Sequence, residues 1–250
     1  MKVVNGEHAP VLAATGLSAG YGRVPFVRDI TLQVAPGEVV ALLGANGAGK
    51  TTILRALAGE LLPLKGQVLW KGAPIALPLH RRARLGLRYV TEERSVFMTL
   101  SARDNLRLGG APIKESLDLF PDLRTRLDVR AGLLSGGEQQ MLTLARALAA
   151  KPDVLLLDEL SLGLAPLIVK RLMTAVREAA NGGMAVVLVE QHVHAALQIA
   201  DRVYVIRRGA ITISGTAAEM RERQFDLQNS YLSNTDDGSS PGLPRNSEPS

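Results

Sequence analysis

Val39-Val40-Ala41-Leu42-Leu43-Gly44-Ala45-Asn46-Gly47-Ala48-Gly49-Lys50-Thr51 is the stretch that decides how this chain folds. Five apolar residues closed by a glycine predict a strand buried on both faces of a parallel sheet. The residues from Gly44 match the pattern Gly-x-x-x-x-Gly-Lys-Thr, directly after that strand and before a helix expected over 51–58. Gly59 is placed to terminate the helix. The glycines let the backbone curl until successive N–H groups face one anion, and the helix adds its positive N-terminal end. Gly44, Ala45, Asn46, Gly47, Ala48, Gly49, Lys50, Thr51 and Thr52 are therefore read as a phosphate cradle. In it Lys50 reaches the terminal phosphates of a nucleotide, and the Thr51 hydroxyl binds Mg²⁺.

Working outward, the rest of the chain supports a core around that strand. The 250 residues are 46% hydrophobic but only 4% aromatic, so the core must be built from Leu, Val, Ala and Ile. Apolar runs at Val154–Leu157 and Met184–Val189 predict two more buried strands, and Ile168, Leu172, Met173 and Val176 have helical spacing. Short strands are expected at Val11–Leu17 and Thr31–Val34, and a closing hairpin through Arg208-Gly209. The fold class is α/β: a P-loop core with a mainly parallel sheet, an antiparallel β edge and an inserted helical lobe. The lobe is placed at about 74–150; its first part is Arg-rich, with Arg81, Arg82, Arg84, Arg88, Arg94, Arg103 and Arg107. The domain is taken as 1–232, and 233–250, rich in Ser, Pro, Asn and Gly, is expected to be a disordered tail.

There is no cysteine, which excludes disulfides, thiol nucleophiles and Cys-based metal sites. No apolar run reaches the roughly 18–20 residues needed to cross a bilayer, and the polar start at Met1–Pro10 lacks a signal-peptide core. Membrane association is therefore expected only through a partner. The net charge of +5 and pI near 9.7 would suit nucleic acid or an anionic membrane surface. A phosphate ligand and a membrane neighbour explain the same charge, and that reading is preferred.

Two further constellations carry chemistry. Leu155-Leu156-Leu157-Asp158-Glu159 puts two carboxylates at the end of a buried strand, where an acid without a cation is expensive. Asp158 is assigned to Mg²⁺ and Glu159 to polarising the attacking water. Leu134-Ser135-Gly136-Gly137-Glu138-Gln139-Gln140 opens a helix, with Ser135 and Glu138 in capping-box spacing. Capping explains Ser135 and Glu138 but not Gly136 and Gly137, whose bare N–H groups form a second phosphate cradle. Two cradles in one chain imply that each completes a site in a partner copy.

The phosphate loop, the Leu134–Gln140 segment and the Asp158-Glu159 strand, in that chain order, resemble an ABC-type ATPase across nearly all of residues 10–232. The resemblance implies ATP and Mg²⁺ as ligands, and a head-to-tail dimer in which Ser135, Gly136, Gly137 and Glu138 serve the partner's ATP. It also implies that Tyr21, in Gly20-Tyr21-Gly22, stacks on adenine. Three stretches are similar to the ATPases of branched-chain amino acid importers: Tyr89–Phe97, Ser161–Pro166 and Leu188–His192. That likeness implies transmembrane permease subunits, pairing as a homodimer or with a related ATPase, and indirect service to an extracytoplasmic binding protein. The expected place is the cytoplasmic face of the membrane, and no nucleic-acid partner is expected. The alternative is a soluble ABC ATPase acting on nucleic acid or ribosomes, which such a single cassette without sustained heptads disfavours.

The chain departs from the general family pattern in ways that bear on its chemistry. Glu92 stands where a Mg²⁺-sensing glutamine is usual, and a carboxylate still ligates a hard ion. Gln191 takes the place of the switch histidine, although a shift of one residue would give that role to His192. Glutamine donates a hydrogen bond but takes up no proton at neutral pH, which leaves Glu159 as the general base. Leu160 replaces the proline expected after Glu159, and Thr91 and Glu93 replace a proline and a glycine. A loop of similar course but less stiffness is expected after Glu159.

Overall fold

The computed structural model describes residues 9–93 and 95–222. The polar start at 1–8, Arg94 and the expected tail at 233–250 lie outside the described residues. In chain order the elements are β1 (Leu12–Tyr21), β2 (Val24–Val34), β3 (Val39–Leu43), α1 (Lys50–Ala58), β4 (Lys65–Trp70) and β5 (Ala73–Pro74). There follow α2 (Leu79–Arg84), β6 (Leu87–Val90), α3 (Ala102–Arg107), α4 (Ile113–Leu119) and, after two short 3₁₀ turns, α5 (Gly136–Ala149). The chain continues through β7 (Val154–Asp158), α6 (Pro166–Asn181), β8 (Ala185–Glu190), α7 (Val193–Ile199), β9 (Arg202–Arg207), β10 (Ala210–Thr216) and α8 (Ala217–Glu222).

The strands form two sheets. Five parallel strands in the order β9-β3-β8-β7-β6, with β10 antiparallel at one edge, make the central sheet. An antiparallel sheet, β2-β1-β4-β5, covers one side. The side chains of the buried strands alternate between two cores, as period-2 geometry requires. Val40, Leu42, Val154, Leu156, Val187 and Val189 face α1 and the antiparallel sheet. Val39, Ala41, Leu43, Leu155, Leu157, Val186 and Leu188 face α3, α5, α6 and α7. Covering both faces is why β3, β7 and β8 read as unbroken apolar runs.

Three expectations change in detail. The first strand continues to Tyr21, because register shifts after Ala14, Leu17 and Ala19 break its alternation. β4 was not foreseen, since Lys65, Gly66 and Gln67 leave its first half exposed. Leu87–Val90 falls inside the range given to the helical lobe, yet it is the edge strand of the central sheet, paired with β7. As an edge strand it keeps Arg88 and Tyr89 only half-buried, so no continuous apolar run marks it.

The register fixes where chemistry collects. Leu43 pairs with Glu190, Asp158 with Val189, and Val90 with Leu157. The carboxyl ends of four parallel strands therefore open on one crevice, the usual ligand position in such sheets. Among the described residues no helix is long and apolar enough to cross a membrane.

Candidate active site

The loop 44–49 runs from the end of β3 into α1, and its glycines are demanded by geometry. A Cβ on Gly44 would lie 2.4 Å from the Ile206 carbonyl oxygen. Gly49 adopts φ +108°, and a Cβ there would meet Val27 Cγ1 at 2.4 Å. Gly49 caps α1 without any side-chain hydrogen bond, so the first-turn N–H groups are left for a ligand. Lys50 folds back over the loop: its Nζ donates to the Gly44 oxygen at 2.9 Å and the Ala45 oxygen at 3.3 Å, and lies 3.5 Å from Glu159 Oε1. A loop of inward N–H groups under a buried ammonium suits a polyphosphate.

Asp158 is almost fully buried at the end of β7. Its two oxygens accept from different donors, Thr51 Oγ1 at 3.2 Å and the Tyr89 hydroxyl at 3.2 Å. Burial raises its carboxyl above the ordinary range, and these two hydrogen bonds pull it part of the way back. Burial likewise raises the Tyr89 phenol, with the Asp158 charge adding to the effect, so Tyr89 is the proton donor of the pair. Glu159 stands in the left-handed region at φ +48°, a conformation that costs a non-glycine residue about 1 kcal/mol or more. Its N–H donates to the Val189 oxygen at 3.0 Å, which ties the strained residue to β8.

A cleft of about 280 Å³ is lined by Asn46, Gly47, Gly49, Lys50, Thr51, Thr52, Glu92, Glu159 and Gln191, together with Phe26 and Leu162. Residues from four strand ends thus meet around one space. His192 does not line it; its backbone caps α7. Thr51, Asp158 and Glu92 offer hard oxygens suited to a divalent cation. Among the described residues no cluster of three or more His, Cys, Asp or Glu forms a metal site by itself. A cation here would therefore complete its shell with phosphate and water oxygens.

The other expected residues lie elsewhere. Tyr21 does not line the cleft: the residue is 55% exposed and its hydroxyl accepts from Arg55 at 3.3 Å. The aromatic ring that does line it is Phe26, set against Gly49. Ser135, Gly136, Gly137 and Glu138 are also outside the lining. Ser135 and Glu138 close a reciprocal capping box on α5, at 3.3 and 2.8 Å, and Arg126 holds Glu138 at 2.7 Å. The Arg126 contact, followed by the Ser135 donors, keeps the Glu138 carboxyl below its ordinary range. Gly136 and Gly137 occupy the first turn, where N–H groups precede any intrahelical acceptor. A larger groove of about 690 Å³ sits at the opposite ends of β7 and β8, beside Lys151, Asp153 and Met184. Lys151 and Asp153 are already ion-paired there with Glu115 and Lys71, and no catalytic groups converge.

Sequence reasoning missed Phe26, Tyr89 as a partner of Asp158, and the pair formed by Ser161 and Glu190. Tyr89 carried one usable signal, an aromatic three residues before Glu92 beside the strand of Asp158. In the loop after Glu159, Leu160 is buried in the core and Ser161 donates twice to Glu190.

The family described as ABC transporter matches residues 27–161. The chain is 40% identical over 220 residues to the "High-affinity branched-chain amino acid transport ATP-binding protein BraG" of Pseudomonas aeruginosa, covering 84% of this chain and 94% of that one. It is 36% identical over 225 residues to the "Lipopolysaccharide export system ATP-binding protein LptB" of Acidithiobacillus ferridurans, covering 84% and 92%. A solved "ATP binding subunit of ABC transporter" superposes with a TM-score of 0.75 at 29% identity, over 90% of this chain and 97% of that one. Likeness of this extent, carried by a phosphate loop whose lysine and strand-end glutamate face one cleft, places the chain in the ABC transporter family as an ATPase subunit that binds and hydrolyses ATP.

Proposed function

We propose that this ATPase subunit powers import of branched-chain or related amino acids, working with transmembrane permease subunits at the cytoplasmic face of the membrane. The observation that carries the reading is the 40% identity to the branched-chain amino acid protein across 94% of its length. The cleft supports it too, since Glu92 and Gln191 stand where their apparent subgroup departs from the general pattern.

In this mechanism the backbone of 44–49 and Lys50 bind the phosphates of ATP, and Thr51, Asp158 and Glu92 would hold Mg²⁺. The bound ion would neutralise charge on the terminal phosphates. Glu159 orients a water and accepts its proton as the water attacks the terminal phosphorus, giving ADP and phosphate. Gln191 donates a hydrogen bond to the terminal phosphate but moves no proton. Ser135, Gly136 and Gly137 complete the site of a second ATPase copy, which is why they sit outside their own chain's cleft. Closure of that pair on ATP drives the permease, and hydrolysis resets it.

A second reading is export, favoured by the 36% identity to the lipopolysaccharide export protein. Co-purification of the membrane partner, followed by reconstitution in vesicles, separates the two. Import predicts ATP hydrolysis stimulated by a loaded amino acid binding protein. Stimulation by a lipid-linked polysaccharide instead would sink the import reading. In the same assay Lys50→Ala should abolish nucleotide binding or turnover, and Glu159→Gln should trap an ATP-bound dimer. Normal turnover by Glu159→Gln would remove the base role given to that residue.

A further inference from the structure

We propose that Tyr89 is a positioning residue for the cation-binding carboxylate: its hydroxyl fixes one oxygen of Asp158, which holds the other toward Thr51 and the cleft. The proposal rests on the reading of Asp158 and Thr51 given above and extends it to a residue outside the cleft lining. β6 and β7 are neighbouring parallel strands, with Tyr89 paired to Leu156. Asp158 lies two residues beyond Leu156 and so projects on the same face. The diagonal neighbour on an adjacent strand is within reach of a long aromatic side chain, and the Tyr89 hydroxyl meets Asp158 Oδ2 at 3.2 Å.

The opposite oxygen, Oδ1, accepts from Thr51 Oγ1 at 3.2 Å. Hydrogen bonds to both oxygens, from donors on two different elements, restrain the carboxylate about its last torsion. Tyr89 is itself held. Its ring packs against the core between the sheets. A carboxylate oxygen only accepts, so the phenol's own hydrogen is directed to Asp158. Outer partners of this kind orient ligating groups and change metal affinity by roughly 10–100-fold when removed.

The test is equilibrium binding of a fluorescent ATP analogue, in EDTA and across a Mg²⁺ titration, for the wild-type chain, Tyr89→Phe and Asp158→Asn. Tyr89→Phe keeps the ring and removes only the hydroxyl. The expected result is unchanged affinity in EDTA, with the Mg²⁺ midpoint raised roughly tenfold, at the low end of that range. Asp158→Asn should raise it further, and saturating Mg²⁺ should restore Tyr89→Phe. A Mg²⁺ midpoint for Tyr89→Phe equal to that of wild type overturns the proposal. A wild-type titration with no Mg²⁺ dependence overturns the reading of the cleft, and the role of Tyr89 with it. Titrations run below the melting transition of each variant make the midpoint, not stability, the deciding quantity.

Discussion

The buried carboxylate of Glu190 accepts two hydrogen bonds from one residue: the Ser161 N–H at 3.0 Å and the Ser161 hydroxyl at 2.6 Å. Glu190 ends β8 immediately before Gln191, and Ser161 lies two residues beyond Glu159. The pair therefore pins the loop after Glu159 to the strand end that presents Gln191. Both groups are buried, so cutting the tie leaves unpaired donors or an unpaired acid in the interior.

The pair has a pH signature. Burial pushes the Glu190 carboxyl above its ordinary value of 4.5, the Ser161 donors and His192 offset part of this, and the Glu159 charge adds to it. An acid whose folded pKa is raised binds its proton more tightly when folded. Its contribution to stability is present in full below the unfolded value and is lost as pH rises through the folded one. Glu190→Gln cannot ionise and keeps its contribution. The melting temperature of the variant, minus that of wild type, should be near zero at about pH 4 and should increase toward neutral pH. A difference that shrinks as pH rises would contradict the buried geometry.

What the sequence reveals and conceals follows the range of each interaction. The phosphate loop, the Asp158-Glu159 strand end and the Ser135–Glu138 box are local, and each is legible because four to eight consecutive residues carry the physics. β6 hides because an edge strand with Arg88 and Tyr89 half-buried has no apolar run to announce it. The partners of Asp158 and Glu190 hide for a different reason. Tyr89 reaches Asp158 across 69 positions and Ser161 reaches Glu190 across 29, and only the parallel register brings them together. Tyr21 ends β1, opposite Val24.

Among the described residues Arg82 is the largest fully buried side chain, and none of its hydrogen-bond partners there is a carboxylate. Its guanidinium donates to the carbonyl oxygens of Leu57 at 2.6 Å, Leu77 at 2.7 Å and Ile75 at 3.1 Å. Leu57 belongs to the last turn of α1, so the cation closes the negative end of the helix that begins at the phosphate loop. Arg82→Met would leave these carbonyls unpaired, at a cost of roughly 2–4 kcal/mol. Arg82→Lys should recover only part of that, because a compact three-donor ammonium cannot reproduce the planar fork that serves four carbonyls, those of Leu57, Leu77, Ile75 and Ala56. Urea denaturation measures both, and equal stability of the lysine variant and wild type would show that charge alone is enough.

Gly49→Ala should lose ATP binding. The substitution places a side chain at φ +108° and drives a methyl group to 2.4 Å from Val27, a buried β-branched residue that cannot swing away. The loop must rebuild, and with it the array of N–H groups. Strain at one such position costs about 1–3 kcal/mol, so the protein should remain folded while binding falls below detection. Isothermal titration with ATP, alongside a melting curve, distinguishes loss of the cradle from loss of the fold.

Two rings compete for the base of ATP, and they stand in different places. Phe26 lines the cleft against Gly49, next to the phosphate loop, which makes it a wall for the phosphates rather than for a base at their far end. Tyr21 is 55% exposed as a residue and lies outside the cleft, with its hydroxyl anchored by Arg55. An exposed aromatic side chain anchored at one end can serve as a stacking platform, and base stacking on an aromatic ring is worth about 1–3 kcal/mol. Tyr21→Ala should therefore weaken ATP binding about tenfold, which is about 1.4 kcal/mol, while Tyr21→Phe keeps most of the affinity. Inorganic triphosphate carries no base, so its binding should be unaffected by Tyr21→Ala and reduced by Phe26→Ala. If Phe26→Ala instead weakened ATP but left triphosphate binding intact, the base would sit on Phe26 and the assignment of Tyr21 would fall.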